Sequence, residues 1–90
     1  MDEGKESVLI VDDNPSNLRL LRALLNEHGY HVRVATQGAM AVDSAKTERP
    51  DVILLDVMMP GMDGYEVCRQ LKADPDVEEI PVLFISAAKE

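Results

Sequence analysis

Val52-Ile53-Leu54-Leu55-Asp56, followed by Val57-Met58-Met59-Pro60-Gly61-Met62-Asp63-Gly64, is the stretch that decides how the rest of the chain reads. Four apolar residues run without alternation into a carboxylate, and the proline and two glycines that follow stop the strand there. A strand apolar on both sides belongs in the middle of a parallel sheet covered on both faces. Asp56 therefore stands at the carboxyl end of a central strand. The design recurs nearer the amino terminus, where Val8-Leu9-Ile10-Val11 runs into Asp12-Asp13-Asn14-Pro15.

Parallel neighbours lie about 4.8 Å apart, so two such strand ends bring their acids together. Crowded carboxylates raise one another's proton affinity unless a cation is shared among them. A hard divalent ion with oxygen ligands is the expected answer, held by Asp12, Asp13 and Asp56.

Working outward, residues 7–11 read as a buried strand. Asn14-Pro15 reads as an N-cap with proline at the first helical position. Leu18, Leu21, Leu24 and Leu25 recur at helical spacing and are expected to face inward, with Leu20 off the stripe and Gly29 as the stop. His31-Val32-Arg33-Val34-Ala35 alternates as an edge or half-covered strand does. A second helix opens at Thr36 or Gly38 and runs to about Glu48, with Met40, Val42 and Ala45 inward. Asp63 with Glu66 has the form of a capping box for a third helix, from about Gly64 to Ala73, with Val67 and Leu71 inward. Residues 81–86 read as a fourth buried strand. The order is βαβαβαβ, an α/β parallel sheet with helices on both faces. In such sheets ligands bind at the carboxyl ends of the strands, where Asp12, Asp13, Asp56 and Ser86 fall.

Composition sets the limits. Ninety residues, 46% of them hydrophobic, allow one core and leave no room for a second domain. A net charge of −8 argues against direct contact with nucleic acid. The single cysteine, Cys68, excludes an internal disulfide and suits a reducing cytoplasm. Residues 1–6 are charged, read as a mobile segment, and lack the apolar stretch of a signal peptide. No run approaches the roughly 18 apolar residues that spanning a bilayer requires, so a soluble protein with no membrane contact is expected.

Val-Asp-Asp-Asn-Pro at 11–15, Leu-Leu-Asp-Val-Met-Met-Pro-Gly-Met-Asp-Gly at 54–64 and Pro-Val-Leu-Phe-Ile-Ser-Ala at 81–87 together resemble the receiver domain of two-component response regulators. The resemblance covers residues 7–88, and residues 7–90 are read as one truncated receiver domain. It implies a flavodoxin-like sheet of strand order 2-1-3-4. It implies that Asp56 accepts a phosphoryl group from a sensor histidine kinase or phosphotransfer protein. Mg²⁺ would be the cofactor, held by Asp12, Asp13, Asp56 and the backbone carbonyl of Met58. Ser86 would contact the phosphoryl group and act as the switch. The domain would assist its own phosphorylation and dephosphorylation without being an enzyme in the ordinary sense.

The family also carries a fifth strand with its lysine and two further helices, which have no counterpart in these 90 residues; Lys89 matches no family position. Two consequences are expected: either self-association through the exposed edge of the fourth strand or origin as a fragment of a longer protein, and, as an alternative to phosphoryl transfer, a receiver-like interaction or dimerisation module that takes no phosphate. A calcium loop beginning at Asp12 is excluded, because Asn17 stands where glycine is required and Ala23 where glutamate is required.

Overall fold

The computed structural model describes residues 6–59 and 63–85. Four strands and three helices alternate: β1 (Ser7–Val11), α1 (Pro15–Glu27), β2 (His31–Ala35), α2 (Gly38–Thr47), β3 (Val52–Asp56), α3 (Gly64–Lys72) and β4 (Val82–Ile85). The strands form one parallel sheet in the order β2-β1-β3-β4. This is the order implied by the resemblance. The readings for residues 1–5 and for Pro60, Gly61, Met62, Ser86, Ala87 and Lys89 lie outside the described residues.

Local signals explain the ends of the elements. Asn14 caps α1 through its side-chain oxygen, which accepts from the backbone N–H of Ser16 at 2.8 Å and of Asn17 at 3.1 Å, and Pro15 follows at the first helical position. At the other end Gly29 takes φ +92°, the left-handed region that glycine enters without steric cost. Its N–H bonds the Asn26 carbonyl and the Tyr30 N–H bonds the Leu25 carbonyl, each at 3.0 Å, which closes the helix in a Schellman arrangement. Asp63 caps α3 by accepting from the Glu66 N–H at 2.9 Å. The Glu66 carboxylate turns instead to Arg69 and Gln70.

The sheet has two unlike faces. On one, Leu9, Val11, Ile53 and Leu55 pack with Ala41 and Ala45 of α2 and Val67 and Leu71 of α3. On the other, Val8, Ile10 and Val32 meet Leu18, Leu21 and Leu25 of α1. The period of two along β1 thus divides its side chains between the two layers.

Three sequence expectations need correction. Leu24 is 48% exposed, because the stripe that meets the sheet is Leu18, Leu21 and Leu25. Met40 is 46% exposed; Ala41, one residue on, takes the buried position, since α2 sits close enough to the sheet to prefer a small side chain there. Nor is β4 a buried strand: Leu83 is 55% and Phe84 44% exposed, because β4 is outermost among the described residues.

Candidate functional site

β1 and β3 are paired in register, Val11 opposite Leu55, so the residues that follow, Asp12 and Asp56, emerge side by side. The Asp12 N–H donates to the Ala35 carbonyl at 3.1 Å, which extends the β1–β2 ladder one residue and holds Asp12 at the rim. Asp12 is 1% exposed and Asp56 5%, whereas Asp13 lies at the surface. One carboxylate oxygen from each of Asp12, Asp13 and Asp56 can be chosen so that all three lie within 4.8 Å of one another. The structure therefore brings together the three acids singled out from sequence.

Two of them are held by donors as well as by the backbone. Asp12 accepts from the Asn14 N–H at 3.0 Å and, through its other oxygen, from the Asn17 side-chain amide at 3.3 Å. Asp56 accepts from the Met58 N–H at 3.1 Å. Met58 itself follows the strand end with its side chain 76% exposed. Met59, next to it, is buried in the core and anchors the loop.

Electrostatics set Asp56 apart. Burial raises its carboxyl above the usual carboxylate range, the Met58 N–H opposes that rise, and the Asp12 and Asp13 carboxylates add to it. A buried acid among acids is uncomfortable as an anion until positive charge arrives.

Mg²⁺ fits this donor set. It takes oxygens at about 2.1 Å in an octahedron, so two of its ligands stand roughly 3 Å apart when adjacent and roughly 4.2 Å apart when opposite. Three carboxylate oxygens within 4.8 Å need only small side-chain adjustments to reach that spacing.

Sequence reasoning missed two contributors. Asn17, on the first turn of α1, reaches back to Asp12, and Gly64 packs against the backbone of Asp56 and Val57. The first had a faint signal in an amide five residues after an acid. The second is a contact across a loop that no local pattern announces.

Residues 8–90 match the response regulator receiver domain, and the chain belongs to that family. Receiver domains are signalling domains of two-component systems. The chain is 52% identical over 80 residues to response regulator PleD of Caulobacter vibrioides, covering 89% of the chain and 18% of PleD. It is 42% identical over 79 residues to protein PilH of Pseudomonas aeruginosa, covering 88% of the chain and 65% of PilH. It thus spans less than two thirds of either relative. Among solved structures, the N-terminal domain of a response regulator receiver protein from Methanoculleus marisnigri superposes with a TM-score of 0.89 at 34% identity, over 94% of this chain and 69% of that one. The receiver domain of a sensor histidine kinase from Pseudomonas aeruginosa, solved with a magnesium ion coordinated in its active-site cleft, gives 0.85 at 34% identity, over 90% and 66%.

Proposed function

We propose that the chain is a phosphoacceptor domain of a two-component phosphorelay, with Asp56 receiving a phosphoryl group from a sensor histidine kinase or phosphotransfer protein. The observation that carries this reading is the convergence of Asp12, Asp13 and Asp56, two of them buried, at the carboxyl ends of β1 and β3. Asp12, Asp13, Asp56 and the Met58 carbonyl would hold Mg²⁺, which supplies positive charge to the phosphoryl oxygens and lets two anions approach.

The chain's own residues do the rest. An Asp56 oxygen forms the bond to phosphorus as the phosphorus–nitrogen bond of the donor phosphohistidine breaks, its electron pair leaving on the imidazole. The Met58 N–H holds the Asp56 carboxylate by one oxygen, and Asn14 and Asn17 keep Asp12 in place beside it. Hydrolysis is the same displacement with water attacking phosphorus and Asp56 leaving as carboxylate. Ser86 is assigned the phosphoryl contact that draws its loop inward and serves as the switch.

Incubation with acetyl phosphate and Mg²⁺, followed by intact mass, tests this. Wild type should gain one phosphoryl group and Asp56→Asn none. Equal addition to both, or none to wild type, would overturn the assignment, and the second result would favour the interaction module.

No described helix is long and apolar enough to cross a membrane. A cytoplasmic location and an absence of nucleic-acid contact, supported by the lone Cys68 and the net charge of −8, belong to the same reading, as do the bounds of the unit at residues 7–90. Self-association through β4 is supported by the exposure of Leu83 and Phe84 on the outermost described strand. Light scattering over a concentration series decides it, and a constant monomer mass at micromolar concentration rules it out.

A further inference from the structure

Gly64 opens α3 and is buried. Its backbone is not in the left-handed region, which among the described residues only Gly29 occupies, so any residue could adopt its dihedrals. What excludes a side chain is space. A Cβ built at Gly64 falls 2.7 Å from the Val57 Cα and 3.0 Å from the Asp56 carbonyl carbon, and closer still to the Asp56 carbonyl oxygen. All three are backbone atoms, so no rotamer change relieves the clash. The Gly64 N–H also donates to the Val57 carbonyl at 3.2 Å, fastening the helix end to the same stretch of chain.

That stretch carries the chemistry assigned above. It begins at the Asp56 carboxylate and continues to the Met58 N–H, which bonds one of its oxygens. We propose that Gly64 is a positioning residue: by lacking a side chain it seats the first turn of α3 against the Asp56–Val57 peptide and fixes where the Asp56 carboxylate stands relative to Asp12 and Asp13. This rests on the phosphoacceptor reading. Gly64→Ala must open the gap by a large fraction of an ångström, displacing either α3 or the peptide that bears Asp56. A misplacement of about 1 Å at a reacting group can cost on the order of a hundredfold in rate.

The test compares wild type, Gly64→Ala and Val77→Ala, the last removing a buried side chain of the same core away from the acids. Urea unfolding gives each stability, calorimetric titration gives Mg²⁺ affinity, and intact mass over time gives the rate of phosphoryl uptake from acetyl phosphate. Gly64→Ala should lose about tenfold in Mg²⁺ affinity and roughly ten- to a hundredfold in uptake rate, while Val77→Ala loses stability and keeps both. If Gly64→Ala matches Val77→Ala in affinity and rate, Gly64 is packing alone and the inference falls. A wild type that takes up neither Mg²⁺ nor phosphate overturns the underlying reading instead, and the positioning role with it. Should Gly64→Ala not fold, Mg²⁺ titration of the wild type followed by amide NMR decides. The Gly64 amide should shift with the same midpoint as that of Met58, and an unmoved Gly64 amide rejects the proposal.

Discussion

Among the described residues, twelve apolar residues form one buried cluster on the face of the sheet covered by α2 and α3; on the face covered by α1, three do, and α1 itself buries no residue fully. The difference shows which side of the molecule supports the acids. Leu55 and Val11, the residues just before Asp56 and Asp12, both belong to the larger cluster, as does Met59 in the loop that follows. The rim is thus founded on the α2–α3 layer. The α1 layer adds the donors of Asn14 and Asn17 above a thinner core.

The largest test of that asymmetry removes one leucine from each layer. Leu55→Ala, at a fully buried position, should cost about 2–5 kcal/mol, which is a large part of the stability of so small a domain. Leu21→Ala, at a half-buried position on α1, should cost about half as much, since less apolar surface is lost and solvent can enter the gap. Urea unfolding with Mg²⁺ absent measures both, and equal losses would erase the distinction between the layers.

A smaller effect sharpens the comparison at the rim itself. In the metal-free protein the Asp56 carboxyl titrates above its ordinary value of 3.8, first because of burial and then because of Asp12 and Asp13. As pH rises the unfolded chain releases this proton before the folded one does. The contribution of neutral Asp56 to stability is therefore complete below the ordinary value and is lost as pH rises through the raised one. Asp56→Asn removes the titration, so without metal its stability advantage over wild type should grow from pH 4 to pH 7. With Mg²⁺ present the proposed site predicts the reverse order, because the variant lacks one of the assigned ligands. A difference independent of pH would mean that the buried acid is already relieved by its Met58 donor.

Most of the architecture was legible in the residues, for physical reasons. Apolar runs, one alternating strand, caps and helical stripes ending at glycine or proline are local signals, and together they located the seven described elements. The acid cluster was legible because parallel pairing leaves strand ends nowhere else to go. The exposure of Leu24 and Met40 was not, since a helical stripe shows which side is apolar but not how wide a strip its neighbours cover. An apolar strand likewise reads the same whether or not its faces are covered, as Leu83 and Phe84 show. Gly64 was read as a strand stop and as the first residue of α3 but not as a contact, because its constraint lies in the backbone of residues 56 and 57, across a loop.

Third in size is the α1 cap. Asn14 satisfies two N–H groups at the start of α1, which covers the thin layer. Asn14→Ala should cost about 1 kcal/mol in urea unfolding. It should also slow phosphoryl uptake slightly, because Asn17 and the Asn14 N–H that hold Asp12 both lie in the capped turn. Loss of stability without any change in uptake would show that the α1 donors do not locate Asp12.

The smallest effect concerns the thick layer, where Lys46 of α2 meets Asp74, in the turn after α3, at 3.0 Å. Lys46 is exposed and Asp74 half-buried, so solvent reaches the pair and screening leaves it little net worth. The Asp74 carboxyl lies below the ordinary range first because the Asp76 N–H bonds it and only then because of Lys46. Lys46→Met should therefore raise the Asp74 pKa only part of the way to its ordinary value and shift the unfolding midpoint by less than Asn14→Ala does. That small shift should vanish in roughly 1 M salt, where the screening length falls to about 3 Å. If Lys46→Met instead cost as much as the cap, and kept costing it in salt, charge would hold α2 against α3 and the larger buried cluster would no longer explain why that layer supports the acids.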